Sequence, residues 1–450
     1  MIAYLSLACA LSWAAMAYVW SKNSCFIRLA DQSVGLLDQL LNPDLDEDQK
    51  IEVLSKRTGR LFMALLNVIA ILSVAIGLPW LALDSITRYG PLEGANIWLL
   101  LTAISVGMAI PFLWPKPKSA SEFGAVSQLF HRIAFNHYHL AWRLHTREVQ
   151  RSRITPRPDF LIITGLARAG TTAMLNTLSR RKEFASLSYA NLPFLLSPST
   201  WGRLYRPKGT DERERSHGDG LKISTRSVEA LEEFFFKVRL RDSFIHEDQL
   251  TSHNVDADVA KDYLNYQSLV RKSDDQVYLA KNNNFMLRYA SMRRHLPQMR
   301  VIIMFRDPLT HAASLMEKHH QFSDMQHADP FIKTYMDWLG HHEFGQGHKP
   351  FAFSTNSNPY TPDTLNYWLT LWVQYYRYVL NQDLEGCQWV AYEDFCETPN
   401  DVVEQLLAPW GLPSSDQQAQ PHNHNRSVTH PCDKDLLKEA QSLYATLREQ

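Results

Sequence analysis

The chain has 450 residues, room for one domain of ordinary size and a further segment, and its formal net charge is −1. A near-neutral chain lacks the basic excess of a general nucleic-acid binder, so no nucleic-acid partner is expected. Its cysteines, Cys9, Cys25, Cys387, Cys396 and Cys432, stand at no metal or disulfide spacing, which suits a reducing compartment.

The N-terminal part reads as membrane. Met1 to Trp20, Leu61 to Leu83 and Asn96 to Trp114 carry no charged side chain. Each is long enough to cross a hydrocarbon core of about 30 Å as a helix, so three spans are predicted at about 1–20, 61–83 and 96–114. The first lacks the basic start and cleavage site of a signal peptide. Trp80, Trp98 and Trp114 lie near proposed ends, as an interfacial belt would place them. Between the first two spans stand Lys22, Arg28, Lys50, Lys56, Arg57 and Arg60, but only Arg88 lies between the second and third. That asymmetry predicts an outside N-terminus and a cytoplasmic C-terminal part.

Residues 21–60 read as two helices broken at Asn42-Pro43, the second opening on an acidic run. Residues 120–150 alternate apolar with basic or histidine positions, including His131, His137, His139 and His145. With no carboxylate or cysteine to complete a metal site, they read as a juxtamembrane amphipathic helix. The expected organisation is a membrane region over 1–115, this helix and a basic linker over 116–157, and a catalytic domain over 158–450.

Within that domain, apolar strands at 160–164, 277–280, 301–305 and 388–392 alternate with helical stretches. Such alternation implies a parallel sheet covered on both faces, with ligand beyond the strands' C-terminal ends, where Arg168, Lys281 and Arg306 fall. Gly165 and Gly170 have the spacing of a phosphate-binding loop, in which small residues let backbone N–H groups approach an anion at a helix start. Thr171 stands where that loop carries lysine, and Arg168 is its cation, which argues against a γ-phosphate with magnesium. In the second cassette, Val301 to Phe305 leads into Arg306-Asp307-Pro308 and a helix carrying Ser314. Pro308 fits a helix start, and Arg306 and Ser314 are placed to meet one phosphate. Residues 340–363 read as a surface excursion suited to acceptor binding. The aromatic set Tyr367, Trp368, Trp372, Tyr375, Tyr376 and Tyr378 reads as a packed helix face.

On these two cassettes the chain resembles the sulfotransferases that use 3′-phosphoadenosine 5′-phosphosulfate (PAPS). Val277 to Pro297, with its strand, Lys281 and helix, and Trp389 to Leu412, with Tyr392-Glu393-Asp394-Phe395 and Pro399, extend the resemblance. It runs from about Arg157 to Leu412 and implies an α/β fold, a P-loop-like three-layer domain around a central parallel sheet, here preceded by an all-helical transmembrane region. It implies that Gly165, Arg168, Ala169, Gly170, Thr171 and Thr172 hold the 5′-phosphosulfate, that Arg306 and Ser314 hold the 3′-phosphate, and that Lys281 is a further active-site candidate. PAPS is the expected co-substrate, without a metal, and the acceptor a hydroxyl on a carbohydrate, lipid-linked glycan or other membrane molecule. Three spans favour a bacterial inner membrane over the single anchor of Golgi enzymes.

Arg168 is the candidate cation at the leaving oxygen. The base departs from the family pattern. Ser188 to Asn191 fill the region where some relatives place a glutamate, and Asn283 stands where cytosolic relatives have histidine. His217 and Glu233 are the first candidates, with Glu183 and Asp219 next and Glu229 and Glu232 beside Glu233. Two other functions compete: a kinase or NTPase, which would need lysine at Thr171 and a magnesium carboxylate, and a non-catalytic membrane scaffold, which would bind donor without transfer.

Overall fold

The computed structural model describes residues 2–21, 23–89, 102, 104–106, 125–204, 213–214, 222–223, 228, 230–354, 357–412 and 427–450. They form two compact units, residues 1–140 and 141–450.

The first unit is helical. Helices α1 (Ile2–Ser21) and α2 (Asn23–Leu40) precede the long α3 (Glu47–Tyr89), followed by α4 (Ala125–Asn136). The break before α3 falls at Asn42-Pro43 as expected, and a reciprocal cap starts the helix. Asp46 Oδ1 accepts from Gln49 N at 2.7 Å while Gln49 Oε1 accepts from Asp46 N at 3.2 Å, satisfying donors that a helix start leaves open. Within α3, Glu47–Gly77 is long and apolar enough to cross a membrane. Phe62, Met63, Ile69 and Ile76 on it are exposed. In α1 the described apolar part, Ala8–Val19, is shorter. The third expected span lies almost wholly outside the described residues. Among the described residues one stretch meets the length and apolarity of a crossing, so the three-span arrangement is not supported.

Helix α5 (Tyr138–Val149) follows α4 after a break at His137 and carries the chain into the second unit. There His145 and Glu148 of the expected surface helix turn inward. His145 Nδ1 lies 3.0 Å from Leu196 O, and Glu148 accepts from the backbone N–H groups of Ser199 and Thr200 at 2.7 and 3.0 Å. Glu148 thereby satisfies the open donors at the start of a short helix, Pro198–Leu204.

The second unit is built on β1 (Leu161–Thr164), β2 (Phe184–Ala185), a small antiparallel pair β3 (Arg213–Glu214) and β4 (Lys222–Ile223), then β5 (Val277–Lys281), β6 (Arg300–Phe305) and β7 (Cys387–Ala391). The main sheet has five strands in the order β2-β5-β1-β6-β7, and every pairing in it is parallel. In register, Ile163 opposes Lys281 on one side and Ile302 on the other. β1 is buried along its whole length, and so is β5, because helices cover both faces; that is why these strands are continuous apolar runs instead of alternating ones. The core joins Leu161, Ile163, Leu279, Ile302 and Met304 to Leu175, Leu178 and Phe395 on the surrounding helices. The surface excursion expected over 340–363 holds for its later part, where Ser354, Ser357, Pro359, Thr361 and Asp363 are exposed, but at its start His342, Phe344, Gly345 and Gly347 are buried. The aromatic helix, Leu365–Leu380, is packed as expected, with Trp368, Trp372, Tyr375 and Tyr376 almost inaccessible.

Candidate active site

The turn after β1 takes its shape from two glycines. Gly165 has φ 142°, and a Cβ there would lie 2.3 Å from the Met304 carbonyl oxygen on β6. Gly170 has φ 93°, and its Cβ would lie 2.4 Å from Tyr392 Cδ2. No side chain fits either place, which brings loop backbone against two neighbouring walls. Between them Arg168 holds φ 72°, a left-handed conformation costing on the order of 1 kcal/mol for a side chain of this kind. The turn closes with Ala169 N donating to Leu166 O at 3.1 Å, and helix Thr171–Leu178 starts from Gly170.

The second cassette abuts this loop. Asp307 caps helix Pro308–Ala328, its carboxylate accepting from Thr310 N at 2.9 Å, and Pro308 occupies the first turn, where no amide donor is needed. Glu393, just past β7, accepts from Asp307 N at 3.0 Å and so fixes the cassette's entry. His311 Nε2–H donates to Ala167 O at 2.7 Å, tying the helix to the loop. Burial, aided by the nearby Arg306 and Arg168 charges and opposed by that bond, lowers the His311 pKa to about 3. The imidazole is therefore neutral.

The cations expected to meet phosphate gather around the loop. Arg168 Nε donates to Ser314 Oγ at 3.2 Å, so the arginine of the first cassette touches the serine of the second. Lys281 Nζ donates to Thr172 Oγ1 at 2.9 Å. The Arg306 guanidinium carbon sits 4.7 Å from the Tyr392 ring centroid, and Arg306 Nε is buried with no hydrogen-bond partner among the described residues. A buried donor left unpaired is costly, and an anion oxygen would satisfy it. Burial raises the Tyr392 phenol to about 12 against the opposing pull of Arg306 and Arg168, so this ring is a neutral wall shared by Gly170 and Arg306. The sequence placed Tyr392 in a motif without showing this role, which depends on β7 lying beside β6.

Beside the loop opens a cleft of about 510 Å³, open solvent included. Its walls include the loop residues Leu166 and Ala167, Leu315, Phe351, Trp368 and Tyr375, with Glu343 and His348 as polar members. Glu343 Oε1 accepts from Asn283 Nδ2 at 3.0 Å, and the Thr171 hydroxyl lies 3.5 Å from Asn283 Oδ1. His348 is neutral, lowered to about 4 by burial and the neighbouring His319. Its two nitrogens face His342 O and the Tyr367 hydroxyl at 3.1 and 3.0 Å.

The base candidates are scattered. His217, Asp219 and Glu229 lie outside the described residues. Glu233 is buried in a two-pronged ion pair: its oxygens accept from Arg288 Nη2 at 2.6 Å and Nη1 at 2.7 Å, and Oε2 also accepts from Asn282 at 2.9 Å. Burial pushes this carboxyl upward, but the Arg288 charge and bonds outweigh it and the net shift is downward. Glu233 is a structural anion, outside the cleft lining. Glu232 shifts the other way through burial, and holds the Tyr263 and Tyr278 hydroxyls at 2.5 and 2.9 Å. Glu183 pairs with Arg181 at 3.6 Å, and its carbonyl accepts from Val277 at the start of β5, the sheet end opposite the loop.

The sulfotransferase family model matches residues 158–346. No curated protein matches the sequence. Among solved structures, the chain is similar to sulfotransferase STF1 of Mycobacterium tuberculosis, with 14% identity, 71% of this chain and 78% of that one covered, and a TM-score of 0.34. It is also similar to STF9 of Mycobacterium avium, with 12% identity, coverages of 71% and 75%, and a TM-score of 0.35. A sulfotransferase from Alicyclobacillus acidocaldarius shares 16% identity over 65% of this chain and 93% of its own, with a TM-score of 0.31. These superpositions are loose, and the likeness that carries weight is that of the sequence: residues 158–346, which hold both cassettes and Glu343, match the sulfotransferase family.

Proposed function

We propose that this chain is a membrane-associated sulfotransferase that moves the sulfuryl group of PAPS to a hydroxyl of a carbohydrate, lipid-linked glycan or other membrane-associated acceptor. The observation that carries the donor reading is the meeting of the glycine-walled loop with the second cassette through Arg168 and Ser314, beside a buried Arg306 Nε with no hydrogen-bond partner among the described residues. The loop backbone and Thr171 and Thr172 would hold the 5′-phosphate, and Arg306 and Ser314 the 3′-phosphate. Thr171 in place of lysine speaks against an NTPase.

In the transfer, the acceptor oxygen bonds to sulfur as the bond from sulfur to the 5′-phosphate oxygen breaks. Negative charge grows on that leaving oxygen, where Arg168 and Lys281 supply positive charge already held in place. The apolar cleft wall of Leu166, Leu315, Phe351 and Trp368 favours a hydroxyl carried on a ring or lipid over a free, fully hydrated sugar. Exposed apolar side chains along Glu47–Gly77 support a membrane contact.

The test is incubation of the membrane fraction with sulfur-labelled PAPS, followed by separation of lipids, glycans and proteins. Label entering a lipid or glycan fraction, and lost on Arg168→Ala, is the expected result. Tight PAPS binding with no label transferred to any fraction would instead favour the scaffold reading.

A further inference from the structure

Asn283 sits just beyond β5, two residues past Lys281, on the loop side of the sheet. An amide has no basic lone pair to take a proton at neutral pH, but it positions a carboxylate well. Its Nδ2 donates to Glu343 Oε1 at 3.0 Å, which leaves Glu343 Oε2 without a protein hydrogen bond among the described residues. Glu343 is half-buried and lines the cleft together with the loop residues Leu166 and Ala167. On its other side Asn283 reaches Thr171, the first residue of the loop helix, at 3.5 Å. One amide thus stands between the donor loop and a cleft carboxylate.

We propose that Glu343, held by Asn283, is the base that takes the proton from the acceptor hydroxyl. The assignment rests on the sulfotransferase reading. In the step, the acceptor O–H proton passes to Glu343 Oε2 and the oxygen lone pair forms the bond to sulfur. The sulfur–oxygen bond to the 5′-phosphate breaks, and its electron pair stays on the bisphosphate product. The other polar groups of the cleft are engaged or turned away. Both His348 nitrogens are within hydrogen-bond reach of a partner, while the His342 Nε2 is buried in the wall. Charged and titratable groups near Glu343 are His342, His348 and Lys349 on its own segment, His319 beside His348, and Lys237 and Asp337 beside His342.

The experiment compares Glu343→Gln with the unaltered full chain on two acceptor probes, 2-naphthalenemethanol, whose hydroxyl needs a base, and 4-nitrophenol, which ionises readily unaided. Turnover on the alcohol should fall by about a hundredfold or more, with a much smaller loss on the phenol. The acid limb of the alcohol's pH profile should vanish, while affinity for adenosine 3′,5′-bisphosphate stays within about twofold. Glu343→Asp should recover part of the alcohol rate. Equal losses on both probes, or an acid limb that persists in Glu343→Gln, would overturn the assignment alone. Absent bisphosphate binding by the unaltered chain would overturn the donor reading and this assignment with it.

Discussion

Arg168 combines a strained backbone with a growing charge. Its φ of 72° is held by glycines on both sides that allow the loop to lie against Met304 and Tyr392. A residue kept in a costly conformation and aimed at the second cassette is a candidate for transition-state stabilisation. Arg168→Ala should therefore lower turnover by about a hundredfold, with a smaller change in bisphosphate affinity, measured by steady-state kinetics beside calorimetry. Gly170→Ala tests the wall itself. An added Cβ meets Tyr392 at 2.4 Å, so donor affinity should collapse while far-ultraviolet circular dichroism stays close to that of the parent. Unchanged donor binding in Gly170→Ala would mean that the loop does not need this close approach.

At the scale of elements, the β6 cassette depends on the cap that starts its helix. Asp307→Ala removes the acceptor of Thr310 N and should cost about 1 kcal/mol of stability, seen as a lowered urea midpoint. Much of this level was legible in the sequence. The apolar, β-branched runs placed β1, β5, β6 and β7 to within a residue or so of their observed ends, because strands buried on both faces leave an unbroken apolar signature. β2 was missed, since Phe184 and Ala185 are too few to show any period. Glu233 stood out as a carboxylate beside phenylalanines, and its ion pair with Arg288 could not be read from a sequence that gives no distance between them. Asn283 and Glu343 were hidden for the same reason: each is unremarkable alone, and only the packing of the stretch from His342 to Phe353 into the cleft wall joins them.

For the whole molecule, burial keeps several histidines neutral in the catalytic unit. It lowers His253, His342 and His348 to about 4 and His311 to about 3, from an ordinary value of 6.5. Below that ordinary value the unfolded chain binds protons that the folded chain refuses, so stability falls as pH drops through this window and is recovered as pH rises. Urea midpoints should decline between about pH 7 and pH 5, and a midpoint that rises on acidification would contradict this account. The central claim, that the two cassettes hold a 3′-phosphorylated adenosine donor, is tested most directly by calorimetric titration with adenosine 3′,5′-bisphosphate, AMP and ATP. The account predicts that the bisphosphate binds far more tightly than the other two and that Arg306→Ala removes roughly tenfold or more of that preference, the worth of a charge-assisted bond. Equal binding of ATP by the unaltered chain would contradict it.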